Sequence, residues 1–211
     1  MHPFLTRLGV RPEVQAFFRP FYSSDDTENL VFNYGDGQEH YGFAFHHIPV
    51  SDHFWMAGNL ELPQVRQVIL GASALDAFSW LNKKALFLSN MDNLLFLSVG
   101  AGIRQSHLHW INKRLSGKSC TLIFSDDLLG RVTDLKLAAA IRKQPVNIYL
   151  DGTEQVIVRF RSRTFYFRQE SFSLNAFEKA AKYHFGVCTD KPKNHLTFFD
   201  ELKAKALNNF I

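Results

Sequence analysis

A basic and aromatic segment in the last third of the chain has the residue types that bind nucleic acid. In VRFRSRTFYFRQ (158–169), arginines are interleaved with phenylalanine and tyrosine. Cationic side chains contact phosphates, and aromatic rings stack on unpaired bases. If the strand continues through the run, alternation places Arg159, Arg161 and Arg163 on one face. The same segment fits a hairpin whose phenylalanines point inward and whose arginines, Arg168 included, are solvated.

Acidic residues follow two apolar runs that are typical of buried strands. One run leads into VILGASALDAFSWL (68–81) and the other into LIFSDDLLGRVTDL (122–135). In parallel α/β sheets, ligands bind at the carboxyl ends of the strands. These two strand ends are therefore the candidate site positions, and Asp76, Asp126 and Asp127 are the acidic residues that follow them.

Together, the two segments resemble the Toprim domain of bacterial and phage primases, topoisomerases and related nucleases. The first Toprim motif is a strand, a glutamate and a helix that opens in the pattern E-S/G-x-x-D-A-L-S. Here Asp76-Ala77-Phe78-Ser79 matches the last four positions, and Ser73 matches the small residue after the glutamate. Ala72 stands at the position of the glutamate itself.

The second Toprim motif is a strand followed by D-x-D-x-x-G. Asp127 and Gly130 match it, and Ser125 stands in place of the first aspartate. The order, the strand–helix context and the spacing of the two motifs carry the resemblance. The residues that precede the first motif are similar to the segment before Toprim in primase-like proteins of plasmids and phages.

The resemblance implies a chemistry in which the glutamate is a general acid–base and the aspartates hold Mg²⁺. A hard cation takes several oxygen ligands, commonly carboxylates together with phosphate and water. With Ala72 and Ser125 at two of these positions, we expect a degenerate set and assign no catalytic residue. Mg²⁺ is expected to be weakly bound or absent, with Asp127, Asp126 and Asp76 as its candidate ligands.

We therefore expect a nucleic-acid-associated, Toprim-like protein of DNA replication or mobile-element transfer that binds rather than catalyses. DNA is the favoured partner. The predicted contacts are the four arginines of the basic segment and one that follows the second motif: Arg159, Arg161, Arg163, Arg168 and Arg131.

Two other functions stay open. One is a Mg²⁺-dependent nuclease or primase-like phosphotransferase that uses Asp127, Asp126 and Asp76. The other is an interaction module in which a phenylalanine-rich surface binds a partner protein or a second copy of the chain. Phosphate contacts release counterions, so steep salt dependence separates nucleic-acid binding from the interaction module.

Strands that alternate with helices from residue 65 onward predict parallel βαβ units. The fold class is α/β, with a Toprim-like parallel sheet covered by helices on both faces at 61–152. The predicted strands are 65–70, 85–89, 94–100, 120–125 and 146–152, and the predicted helices are 73–83, 104–115 and 128–144.

The flanking segments have different patterns. Residues 1–60 predict a primase-like α+β segment, with short helices, a hairpin that turns at GDG (35–37) and a loop with a short extended piece at 46–59. Residues 153–211 predict a hairpin and two helices, at 173–185 and 198–207, packed on the core.

The histidines offer no established metal spacing. His46-His47 and His53 match no zinc pattern, and the two cysteines of the chain are far apart. His107 and His109 are two residues apart on a predicted helix, so they face different directions. These histidines are expected in the core or at the surface.

The composition is that of a soluble globular protein. The 211 residues are 46% hydrophobic and 21% charged, with a formal net charge of +4. The 21 phenylalanines predict a core built on aromatic rings. No apolar run approaches the ~20 residues of a membrane span, and no secretory signal is visible, so we expect a cytoplasmic protein without a membrane partner.

Overall fold

The computed structural model describes residues 1–88, 90–152 and 154–208. The N-terminal segment contains α1 (Pro3–Arg7), α2 (Pro12–Phe18), β1 (Ser23–Ser24), β2 (Leu30–Asn33), β3 (Gln38–Tyr41), β4 (His46–His47) and β5 (Val50–Gly58). The middle segment contains β6 (Gln67–Gly71), α3 (Ala74–Lys84), β7 (Leu94–Gly100), α4 (Gln105–Arg114), β8 (Ser119–Leu122), α5 (Leu128–Ile141) and β9 (Asn147–Leu150). The last segment contains β10 (Gln155–Phe160), β11 (Arg163–Arg168), α6 (Leu174–Ala181), β12 (Cys188–Thr189) and α7 (Phe198–Asn208).

The central sheet has five strands in the order β12-β8-β6-β7-β5. Four of them are parallel, and β5 runs antiparallel to β7. The α/β class is confirmed, but the sheet is mixed rather than parallel. Only residues 59–66 connect β5 to β6, and a parallel arrangement would need a crossover of about a dozen residues or more. Strands of all three predicted segments join this sheet.

Helices cover both faces because neighbouring residues of the central strands point in opposite directions. Val68 and Leu70 pack in one core with α4 and α5, whereas Ile69 packs in a second core with α3. The second core is built on aromatic rings, as the composition predicts. Phe18 stacks on Phe78 at 4.1 Å between ring centroids.

A second, four-stranded antiparallel sheet is formed by β1 to β4, and it contains the predicted hairpin around residues 35–37. Two predictions outside this sheet were wrong. Residues 50–58, predicted as mainly loop, form the long edge strand β5. Its register is irregular between Val50 and Trp55, so the alternation of buried and exposed residues that predicts a strand is interrupted there. Residues 85–87 form a turn of 3₁₀ helix instead of a strand, with Leu86 and Phe87 exposed, and residue 89 lies outside the described residues.

A third sheet, in the order β11-β10-β9, is antiparallel. The hairpin predicted from the basic segment is confirmed, since β10 and β11 pair along six positions. Residues 146–152 were predicted in the parallel sheet, but β9 pairs with β10 instead. Val156, Val158 and Phe160 are buried beneath this sheet against Phe177 of α6, so the sheet has one packed face and one open face.

No helix in the described part of the chain is long and apolar enough to cross a bilayer.

Gly130, in the first turn of α5, lies directly against the segment that follows β8. A Cβ atom at this position would stand 2.0 Å from the carbonyl oxygen of Ser125. We expect Gly130→Ala to lower the free energy of unfolding by about 1–3 kcal/mol or more, because the contacted atom is backbone and cannot rotate away. Urea denaturation measures this change.

Gly102→Ala is the matched control, because a Cβ atom there meets nothing within 4 Å. Equal urea midpoints for the two variants would contradict the close approach of α5 to Ser125.

Candidate functional site

The first motif segment lies at the junction of β6 and α3, where Asp76 is held by protein donors on both of its oxygens. Ser73 caps the helix by accepting the Asp76 N–H at 3.0 Å, and its hydroxyl donates to Asp76 Oδ2 at 2.8 Å. Asp76 Oδ1 accepts the N–H of Phe199 at the start of α7, at 3.0 Å. Asp76 is only 5% exposed. Its carboxylate therefore joins α3 to α7.

Burial raises the pKa of Asp76 to about 6. The hydrogen bonds from Phe199 and Ser73 and the charge of His46 act against this shift, whereas the nearby carboxylate of Glu39 adds to it. A carboxyl group in this position is protonated more readily than an exposed one, which disfavours it as a cation ligand.

A glutamate that the motif analysis did not single out reaches the N-terminus of α3. Glu39 of β3 is fully buried, and its Oε2 accepts the N–H of Ala74 at 2.8 Å and the hydroxyl of Tyr34 at 2.8 Å. His46 Nε2 lies 2.9 Å from its Oε1. Free N–H groups at a helix start favour a carboxylate. A carboxylate thus meets this helix next to Ala72, but it comes from another sheet.

A sequence signal for Glu39 existed but was ambiguous. Glu39 pairs with Phe32 across β2 and β3, so it stands on the apolar face of that hairpin. Alternation in the hairpin would flag it as an inward-facing charge, yet only the tertiary structure shows which helix it contacts.

The second motif segment joins β8 to α5, and its two aspartates have separate partners. Asp127 is the N-cap of α5: its Oδ1 accepts the Gly130 N–H at 2.7 Å and the Ser125 hydroxyl at 2.8 Å. Asp126 forms an ion pair with Arg131 at 2.9 Å, on the solvent side. Arg131 also donates to the carbonyl of Glu170 at 2.9 Å, so its guanidinium is already bound.

An internal cation occupies the end of this strand. Lys191 Nζ donates to the carbonyl oxygens of Phe124 and Ser125 at 3.0 and 3.1 Å, and it lies 2.7 Å from Asp134 Oδ2. Asp134 is almost fully buried, and burial raises its pKa to about 7 although Lys191 opposes the shift. Sequence reasoning missed this pair, because Lys191 lies in a polar linker that only the fold brings here.

The candidate magnesium ligands are not gathered into one group. Asp76 faces α7, Asp127 caps α5 and Asp126 pairs with Arg131. Among the described residues, no set of three or more His, Cys, Asp or Glu side chains is placed to hold a metal ion. These donors therefore do not fit a shared hydrated Mg²⁺, which needs several oxygen ligands that are not already hydrogen-bonded.

The four predicted contacts of the basic segment fall in different places on the third sheet. Arg159 and Arg168 lie on its open face, where the register opposes them to Thr164 and Gln155. Arg163 opposes the buried Phe160 and so belongs to the other face. The shared face expected for Arg159, Arg161 and Arg163 is not formed, because the strand ends at residue 160.

Arg161 lies in the two-residue turn of this hairpin. Arg161 and Ser162 have positive φ values of 47° and 62°, as a tight two-residue hairpin requires. The Arg161 guanidinium donates to Gln144 Oε1 at 2.8 and 3.0 Å and lies 4.3 Å from the Tyr183 ring centroid. Its position is set by contacts within the protein.

The open face of the third sheet also carries a row of large side chains. Tyr149 of β9, Ile157 of β10 and Tyr166 of β11 are direct neighbours across the three strands. Tyr149 is 48% exposed and Tyr166 is 66% exposed. The Arg159 guanidinium lies 5.3 Å from the Tyr149 ring centroid. Two accessible rings and two cations thus share one surface, which we call the open face: Tyr149, Ile157, Arg159, Tyr166 and Arg168.

His107 and His109 face different sides of α4, as their helical spacing predicts. His107 is fully buried: its Nδ1 accepts the Arg104 N–H at 3.1 Å, and its Nε2 donates to the His53 carbonyl at 3.0 Å. Burial lowers the pKa of His107, so the neutral ring is favoured. His109 is exposed on the same helix.

Comparison of the chain with protein-family models, curated proteins and solved structures finds no match. The Toprim resemblance therefore rests on its two sequence motifs.

The role of Asp127 as a helix cap leads to a prediction. Asp127→Ala removes the acceptor of the Gly130 N–H and should lower the free energy of unfolding by about 1 kcal/mol. Asp127→Asn keeps that acceptor and should change stability much less. Urea denaturation of both variants, with and without Mg²⁺, measures the effect. Stabilisation of the wild type by Mg²⁺ that both substitutions abolish would instead make Asp127 a metal ligand.

The buried carboxyl group of Asp76 makes stability depend on pH. Its pKa is about 6 in the folded protein against the ordinary aspartate value of 3.8, so between these pH values the folded protein holds a proton that the unfolded chain has lost. This contribution is present at low pH and is lost as pH rises through the folded pKa. Asp76→Asn does not titrate. Relative to Asp76→Asn, the wild type should therefore lose about 3 kcal/mol between about pH 4 and about pH 7.

Urea denaturation of both proteins across this pH range measures that difference. Asp200→Asn is a control, because Asp200 lies on the same helix as Phe199 but its pKa is lowered instead of raised. This variant should therefore keep the wild-type loss of stability over the same pH range. A wild-type curve parallel to that of Asp76→Asn would contradict the raised pKa.

Proposed function

We propose that this protein binds nucleic acid through unpaired bases, with DNA as the favoured form, and acts by binding rather than by catalysis. The open face of the third sheet carries the proposal. Base stacking on an aromatic side chain contributes about 1–3 kcal/mol per base and is tolerant of sequence. Tyr149 and Tyr166 flank Ile157, so two rings are presented on one surface, about two strand spacings or ~10 Å apart.

The charges on this face support the same ligand. Arg159 and Arg168 make no ion pair with another described residue, so their charges are available to phosphates. Arginine beside an aromatic ring contributes both charge and a stacking plane. Arg131 and Arg161, by contrast, are engaged within the protein. We therefore narrow the proposed contacts to Arg159 and Arg168, together with the two tyrosines.

The proposal that the protein binds rather than catalyses is supported by the two motif segments. Their carboxylates cap helices, join helices or form ion pairs, and Ala72 supplies no proton. The Mg²⁺-dependent alternative gains no supporting observation from this arrangement. A role in DNA replication or mobile-element transfer follows from the Toprim resemblance and is proposed on that basis.

The interaction-module alternative gains no specific surface from the described residues. Most described phenylalanines are buried or half-buried, whereas Phe43 and Phe87 are 82% exposed and Phe45 is 49% exposed. Phe43 and Phe45 lie between β3 and β4, whereas Phe87 follows α3. The aromatic composition is used for the core, so it gives no reason to expect an aromatic dimer interface.

The open face predicts a pattern of affinities for a fluorescently labelled single strand, measured by anisotropy. Tyr149→Leu with Tyr166→Leu should weaken binding by at least tenfold, since each lost stack is worth about 1–3 kcal/mol. Arg159→Gln with Arg168→Gln should reduce the slope of log affinity against log salt by about 1.4, because each contact to a single strand contributes about 0.7. A duplex of the same sequence should bind more weakly than the single strand.

Arg163→Gln is the matched control on the other face of the hairpin, and it should leave the tyrosine-dependent part of the binding unchanged. Affinity that is indifferent to salt, or that falls equally in the control and the open-face variants, would contradict the proposal.

A further inference from the structure

A second surface, separate from the open face, has the form of a ligand site. A cleft of about 750 Å³ lies between α4, β5 and the turn that joins β2 to β3. This size is within the range of about 300–1,000 Å³ that is typical of small-molecule sites. Its walls share no residue with the open face, and they include the following: Asn33, Asp52, His53, Phe54, Trp110, Lys113 and Arg114.

Hydrogen bonds hold the walls of this cleft in place. The buried ring of His107 ties α4 to the carbonyl of His53, and the Ser106 hydroxyl donates to Asp52 Oδ1 at 3.0 Å. Asp36, in the turn after β2, accepts the N–H of Asp52 at 2.9 Å. Three separate elements are therefore fixed around the opening, so a ligand would meet a preformed site.

The charge of the cleft favours an anion. Lys113 and Arg114, at the end of α4, are exposed and make no ion pair with another described residue. The rings of His53 and His109 line the same space. Asp52 is the single carboxylate among the described residues of the lining, and it already accepts a hydrogen bond from Ser106. Two unpaired cations beside two imidazoles suit a phosphate group.

Aromatic rings form another part of the lining. Trp110 is half-buried and packs on Phe54, with 5.2 Å between ring centroids. The Arg114 guanidinium lies 5.8 Å from the Trp110 ring. A planar base that enters here would contact the indole ring and the guanidinium together, which is how aromatic and arginine side chains hold nucleobases.

We propose that this cleft binds a nucleotide, with its phosphate at Lys113 and Arg114 and its base beside Trp110. The ligand is a phosphorylated nucleoside, either free or as one unit of a nucleic-acid strand. The site does not require that the open face binds nucleic acid, since the two surfaces are built from different residues.

Trp110 provides the signal for the test. The chain has three tryptophans, and Trp55 and Trp80 are 1% and 3% exposed, so a soluble ligand reaches Trp110 in preference to them. Adenosine monophosphate, adenosine and inorganic phosphate are titrated into the full chain while tryptophan fluorescence is followed, with calorimetry as a second readout. We expect saturable quenching by the nucleotide and weaker binding of adenosine or phosphate alone.

Lys113→Met with Arg114→Met should weaken nucleotide binding at least tenfold. Lys136→Met with Lys179→Met is the matched control, because it removes the same charge from exposed positions on two other helices and should leave affinity unchanged. Lys113→Met alone, which keeps the Arg114–Trp110 contact, should give a smaller loss in the same direction. Circular dichroism confirms that each variant is folded.

An oligonucleotide without a terminal phosphate, titrated into the Tyr149→Leu, Tyr166→Leu protein, separates the two sources of ligand. Quenching by the free nucleotide but not by the strand assigns a free nucleotide to the cleft. Quenching by the strand assigns a nucleotide unit of nucleic acid, even if the open face fails its own test. The proposal is overturned if neither the nucleotide nor the strand gives quenching or heat of binding. It is also overturned if the control and the cleft variants lose nucleotide affinity equally.

Discussion

Burial of β6 and β7 on both of their faces is the constraint on which the rest of the structure depends. Their side chains supply two cores at once, so helices must pack above and below the sheet. This packing brings the carboxyl ends of β6 and β8 to one edge, where both Toprim-like motifs lie. The third sheet is packed on one face only, because α6 and other residues of the first core cover that face and leave the opposite one open.

Charged groups at the motif edge are used mainly to hold elements together. Glu39 accepts a hydrogen bond from the backbone at the start of α3, and Asp127 caps α5. Asp76 accepts a hydrogen bond from the backbone at the start of α7, and Lys191 forms an ion pair with Asp134. Each of these interactions compensates for burial of a polar group, which would otherwise be costly. The carboxylates of this edge thus serve mainly to join its elements.

The surfaces proposed to bind ligands lie elsewhere and have a different character. The open face and the cleft both combine arginine or lysine with aromatic rings, and their cations make no ion pairs with other described residues. At the motif edge, by contrast, Arg131 is already bound to Asp126 and to the carbonyl of Glu170. Unpaired cations beside accessible aromatic rings, rather than charge alone, characterise both surfaces in a protein whose net charge is only +4.

The sequence by itself determined the α/β class, the paired strands β10 and β11, most helices of the core and the aromatic interior, because periodicity and turn residues act locally. It did not determine the direction of β5, the sheet to which β9 belongs or the partners of the aspartates. Those depend on contacts between residues far apart in the chain: Glu39 with α3, Lys191 with Asp134, Asp76 with Phe199. The open face and the cleft were likewise decided by the tertiary structure, since strand register set which arginines share a face and helix packing set which walls meet.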